Sequence, residues 1–198
     1  MQEINAFDIL IDNLQKRGIK SFPHRIEKSF ILPGSDRFYN LKYIIAPIED
    51  SYFIACDSFG AKQYTSSTYS GIYSAFDGGR FNDCKVYKKD WVDILFRTNK
   101  KKTGIGYIDS NLTITSKSNN NPAILFKHND IKEFLSLQDK ISPLKILFEK
   151  DYIQIVESLK DKSVVGIETN YWVYQMEELD LLLDKGLHLI NSLKNACV

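Results

Sequence analysis

The chain has 198 residues, 43% of them hydrophobic and 26% charged, which is ordinary for a globular protein and enough for one good core. Its 26 Lys plus Arg nearly cancel 25 Asp plus Glu, so a net charge of +1 gives no global field to draw it onto nucleic acid or an anionic membrane. No segment approaches the roughly 18 apolar residues of a membrane span, and MQEINAFDIL, with Glu3, Asp8 and no basic flank, does not read as a secretory signal.

The first predicted element is a helix. Ile4, Phe7, Leu10, Ile11 and Leu14 recur at helical spacing, and Lys16-Arg17-Gly18 supplies a basic last turn and a stop. From Ser21 to about Thr115 the pattern changes to short β-branched and aromatic runs between turn residues. YNLKYIIAPI and SYFIACDSF read as a hairpin turning at Glu49-Asp50, with Pro47 placing that end at an edge or a bulge. TGIGYID and NLTITSK read as a second hairpin, turning near Ser110 and Asn111. Between them KKDWVDILF fits either a short helix capped by Asp90 or a strand.

SKSNNNP, residues 116–122, is a polar loop and a candidate seam within a single 1–198 domain. Asp130 with Glu133 resembles a capping box opening a middle helix through Ile131, Phe134 and Leu135. LKILFEKDYIQIVESL suggests a third hairpin about Glu149 to Asp151, and SVVGIET and YWVYQ suggest further strands. The chain closes on a helix whose stripe is Leu179, Leu182, Leu183, Ile190 and Leu193. Helices do not alternate regularly with strands, which argues against a parallel crossover sheet. The expected fold class is α+β: a predominantly antiparallel sheet of short hairpins, packed by an N-terminal, a middle and a C-terminal helix.

Chemical signatures are sparse. Cys56, Cys84 and Cys197 are odd in number and lack metal or redox spacing, so reduced thiols in a cytoplasmic protein are expected. His24, His128 and His188 are mutually distant in sequence, and neither a G-x-S-x-G elbow nor a phosphate loop is present. Neither a cofactor nor a metal site is expected. A hairpin would have to bring Glu49, Asp50 and Asp57 together for them to hold a divalent cation, and the same residues make ordinary turns and strand ends. The basic run RTNKKKTG, with Lys100, Lys101 and Lys102, reads as a solvated loop; without interleaved aromatics it is a weak nucleic-acid candidate.

The most unusual stretch is YTSSTYSGIYSAFDGGRF, residues 64–81. Extended, it would point Tyr69, Gly71, Tyr73 and Ala75 one way and Ser70, Ile72, Ser74 and Phe76 the other. Asp77-Gly78-Gly79 would make a tight turn, with RFNDCKVYK as the returning strand. Tyrosines separated by serine and glycine suit a recognition surface. Tyr64, Tyr69, Tyr73, Phe76 and Arg80 are therefore the candidate binding residues, with at least two of the three tyrosines expected in water. The function expected is a non-enzymatic module that binds another protein. The alternative is a small hydrolase or metal-dependent enzyme whose carboxylates, Asp57, Asp77 and Asp83 first, converge only in three dimensions.

Overall fold

The computed structural model describes residues 5–32, 35–59, 67–90, 100–117 and 122–196. Among these residues, four helices pack on one nine-stranded sheet in which every neighbouring pair is antiparallel. The fold class is α+β.

Helix α1 (Ala6–Lys16) starts where the Asn5 side chain accepts from the Phe7 N–H at 3.2 Å. It stops at Gly18, whose φ of +71° is left-handed. Gly18 N donates to the Gln15 carbonyl and Ile19 N reaches back to that of Leu14, so the last carbonyls are satisfied by a Schellman closure. Strands β1 (Phe22–Leu32), β2 (Ser35–Ile48), β3 (Ser51–Phe59) and β4 (Ser67–Ala75) follow as a meander. The β2–β3 turn is the expected two-residue one, with Glu49 at φ +54°. The Asp50 carboxylate there pairs with Lys194, which holds its carboxyl below the usual range. β1 ends at Phe22, opposite Ile45, so Pro47 sits where β2 has lost its neighbour on that side and no ladder bond is sacrificed.

After β4 the structure departs from the pattern. Asp77 to Gly79 does not close a hairpin: a 3-10 turn, Gly79–Phe81, leads away, and β5 (Cys84–Lys88) pairs with the later strands Leu112–Ser116 and Leu144–Lys150 instead of returning along β4. The second expected hairpin is also absent. TGIGYID contributes helix α2 (Gly106–Asn111), which leads straight into β7 (Leu112–Ser116). Asp109 is the reason, because its carboxylate accepts from Thr103 N, Thr103 Oγ1 and Gly104 N and so closes the preceding loop locally. β6 is the two-residue edge Lys100–Lys101, and residues 91–99, with most of KKDWVDILF, lie outside the described set.

Helix α3 (His128–Gln138) opens one turn earlier than expected. Asp130 is its third residue rather than its cap, and its carboxylate accepts from Lys127 N at 2.8 Å. β8 (Leu144–Lys150) pairs with β9 (Ser163–Thr169), so DYIQIVESL is not a strand but part of the connection between them. YWVYQ is not a strand either. Its backbone is taken by side chains: Ser70 Oγ donates to the Tyr171 carbonyl and accepts from Val173 N, and Asn13 donates to the Tyr174 carbonyl. Strands from both sides of 116–122 lie in the one sheet, since β7 and β8 both flank β5.

The last helix, α4, runs from Met176 to Asn195 with a π turn at Leu182–Gly186. A Cβ at Gly186 would stand 3.3 Å from Ile72 Cδ1, so glycine lets the helix close onto β4. Its stripe, with α1 and α3, buries one face of the sheet, including Phe53, Ile72, Ile167, Ile146 and Val86. Leu183 is 4% exposed, so Leu183→Ala is expected to cost about 2 to 5 kcal/mol. A denaturant midpoint showing a loss below about 0.5 kcal/mol would place this leucine outside the core. No described helix is long and apolar enough to cross a membrane.

Candidate functional site

Strand alternation sends the other half of the side chains to the face opposite the helices. Tyr43 and Ile45 of β2, Tyr52, Ile54 and Cys56 of β3, and Tyr69 and Tyr73 of β4 share that face, by their register. Lys145 and Leu147 of β8 and Val164, Gly166 and Glu168 of β9 continue it. The β8–β9 connection crosses its middle, where Ile153, Val156 and Leu159 pack with Ile54, Tyr73, Leu147 and Val164 in a second, smaller core. Ser158 Oγ donates to the Tyr52 hydroxyl at 2.7 Å and tethers the crossing. Beyond it the face carries a His24–Tyr43 stack with ring centroids 4.7 Å apart, half-buried Tyr52 and Tyr69, and Phe22 at 48% exposure.

Beside the crossing lies a cavity of about 650 Å³, lined by Ser67, Thr68, Tyr69, Lys145, Tyr152, Glu168 and Asn170. Two glycines lie in the strands beside it. Gly166 stands opposite Tyr73, and a Cβ there would lie 2.6 Å from the Tyr73 ring; one at Gly71 would lie 2.3 Å from the Ile167 carbonyl oxygen. The bare backbone at 166 is the slot in which Tyr73 lies flat, an aromatic ring covering a cross-strand glycine. The ring's hydroxyl then reaches Glu168, two residues further along β9, and donates to Oε2 at 2.7 Å.

Glu168 is 4% exposed and ionic, so its environment must replace water. Tyr152 donates to the same Oε2 at 2.8 Å, and Lys145, opposite Glu168 in the β8–β9 register, brings its ammonium to Oε1 at 2.6 Å. Three donors, one of them a full positive charge, therefore occupy both oxygens of the carboxylate. Burial, and then the Glu168 charge, push the Tyr73 and Tyr152 phenols far above their usual range, so both stay protonated and keep donating. Burial, with the Cys56 thiol beside it, raises Tyr69 as well. What faces the cavity is a neutralised pair surrounded by hydroxyl and amide groups.

These shifts are measurable. Burial raises Tyr43 and pushes Tyr171 up to about 12, so at least five tyrosines among the described residues resist ionisation in the fold. The unfolded chain releases those protons near pH ~10. Their stabilising contribution is thus complete below about pH 10 and is lost as pH rises through the higher folded values. Tyrosinate absorbance is expected to plateau short of the chain's eleven tyrosines above about pH 11, then complete its rise as the chain unfolds. A single unperturbed titration of all eleven would contradict the burial described.

The residues singled out from sequence fare unequally. Tyr64 lies outside the described residues. Tyr69 does line the cavity, edge-on to Tyr73 with centroids 6.4 Å apart. Tyr73 is fully buried, because the glycine slot draws its ring onto the sheet, so the expectation of two exposed tyrosines falls to Tyr64 and the half-buried Tyr69. Phe76 is 4% exposed and packs against Phe148 at 5.3 Å on the helix-covered face, so it is a core residue rather than a surface contact. Arg80 is exposed over the Phe81 ring, past the far end of β4. The seven-residue rise from Thr68 to Ala75, roughly 23 Å, separates that end from the cavity.

The same spacing separates Asp57, which accepts from Thr68 Oγ1 at 2.8 Å, from Asp77 and Asp83 beyond the other end of β4. Among the described residues no three His, Cys, Asp or Glu side chains converge to hold a metal ion. Lys145, Tyr152, Glu168 and Asn170 escaped the sequence reading. The alternation in LKILFEK and SVVGIET does put Lys145 and Glu168 on the less apolar side of their strands, but the register that joins them appears only in the sheet. Compared with protein families, curated proteins and solved structures, the chain matches none of them.

Proposed function

We propose that this chain is a non-enzymatic module that binds another protein in the cytoplasm through the sheet face its helices leave uncovered. The carrying observation is the grouping of Tyr43, Tyr52, Tyr69 and Tyr152 on that one face, each partly accessible, with the Lys145–Glu168 cavity among them. Tyrosine gives large contact area with few rotors to freeze and a hydroxyl that accepts or donates, which suits protein recognition. Because Glu168 is committed to three donors, it favours a role in holding Lys145 and Tyr152 in place over one in proton transfer.

The test combines affinity capture from the native host with hydrogen exchange on the reconstituted complex. Partner binding is expected to protect peptides from β2 to β4 and to weaken at least tenfold in Tyr69→Ser, roughly a 1.4 kcal/mol loss. Protection confined to α1, α3 and α4, or undiminished affinity in the variant, would reject the uncovered face as the binding surface.

A further inference from the structure

Glu168 holds two side chains at the cavity beside the crossing, and each keeps hydrogen-bonding capacity of its own. The Lys145 ammonium, 27% exposed, has three N–H donors and places one on Glu168 Oε1 at 2.6 Å. The Tyr152 phenol has a single proton, which it donates to Oε2 at 2.8 Å. Burial, and then the Glu168 charge, keep that phenol protonated, so the proton stays on the carboxylate. Toward the cavity Lys145 therefore offers donors, whereas Tyr152 offers an acceptor lone pair. We propose, on the footing that the uncovered face binds a protein, that this cavity takes a primary amide from that partner, the side chain of an Asn or Gln. Its carbonyl accepts from Lys145 and its N–H donates to Tyr152.

Geometry and charge both select this group. The Glu168 carboxylate already bridges the two side chains through two oxygens on one carbon. A primary amide is a flat fork of the same span, with one acceptor atom and one donor atom, so it can bridge the same pair from the cavity side. A second carboxylate does not match: Tyr152 has no proton left for it, and its charge would lie close to that of Glu168. A cation does not match either, because Glu168 is 4% exposed with both oxygens occupied, and the Lys145 charge stands beside them. The pair is neutral in sum, and the remaining described lining, Ser67, Thr68, Tyr69 and Asn170, carries no charge. The cavity's 650 Å³ falls in the range that encloses a small ligand, roughly 300 to 1,000 Å³, ample for one side chain and its backbone. The accessible parts of the Tyr69 and Tyr152 rings give apolar surface for that side chain's methylenes.

A buried ion pair can also serve stability alone. Such a pair has no preference among ligands, whereas a site does. Titrating the full chain, labelled with nitrogen-15, with N-acetylglutamine methylamide and its Glu and Leu counterparts separates the two. The Leu probe carries the same backbone amides without the primary one. Amide signals of residues 145, 152 and 168 are expected to shift saturably with the Gln probe, in the millimolar range usual for so small a ligand. The Glu and Leu probes are expected to bind at least about fivefold more weakly. Tyr152→Phe removes the acceptor and should erase the preference for Gln; if that variant loses its fold, the ranking on the unmodified protein decides alone.

No saturable shift up to about 50 mM Gln probe, equal affinity for the three probes, or tighter binding of the Glu probe would each overturn the amide assignment. Hydrogen exchange on the captured complex keeps the two readings apart. Protection of β2 to β4 with no preference among the probes overturns the amide and leaves the face. Selective binding of the Gln probe, with partner protection confined to the helices, supports the amide site and rejects the face.

Discussion

Replacing Tyr73 with Ser is expected to cost about 3 to 5 kcal/mol, the range for removing a fully buried aromatic ring. The ring fills the slot above Gly166, joins the second core and supplies one of the three donors to Glu168. Tyr73→Phe separates the two contributions: it keeps the packing and removes the donor, for about 1 to 3 kcal/mol. Gly166→Ala attacks the same contact from the other side, because its new methyl would sit 2.6 Å from the ring, and overpacking of this kind costs about 1 to 3 kcal/mol. Tyr69→Ser, at a half-buried position on the cavity rim, should lose far less. Urea midpoints of the four variants provide the check. A loss under about 1 kcal/mol in Tyr73→Ser would mean that the ring is not the keystone of this face.

Lys145→Met is the second large effect expected, about 3 kcal/mol at neutral pH, because it leaves a buried carboxylate with two neutral donors and no countercharge. The figure sits at the low end for a broken buried pair, since the cavity admits water beside Lys145, which is 27% exposed. Adding Glu168→Gln to Lys145→Met should recover part of the loss, and the double-mutant cycle measures the coupling. A deficit unrelieved in the double variant would show that Lys145 acts through packing of its stem.

Much of the fold is legible from short-range rules. Helix α1 ends where Gly18 must adopt a positive φ, the β2–β3 hairpin turns where Glu49-Asp50 interrupts two alternating runs, and α4 follows from its leucine stripe. In each case the determining contacts lie within a few residues, so the local pattern contains them. The misreadings have two different causes. TGIGYID alternates enough to suggest a strand, yet hydrogen bonds from Thr103 and Gly104 to Asp109 close a loop and start α2. YWVYQ has strand composition, yet Ser70 and Asn13, both remote in sequence, take its backbone groups.

The stretch at 64–81 shows where the boundary falls. Its residues alone determined a strand with Tyr69 and Tyr73 on one face and Ile72 and Phe76 on the other, because side-chain alternation is a property of the extended backbone itself. Only the tertiary structure decided which face meets the helices, that β9 and not β5 lies beside β4, and that Gly166 therefore opens beneath Tyr73. The Lys145–Glu168 pair arises in the same way, from a register between strands separated by the crossing segment. Strand order is set by how the whole apolar surface is best buried, a sum over long-range contacts that no single window of sequence contains.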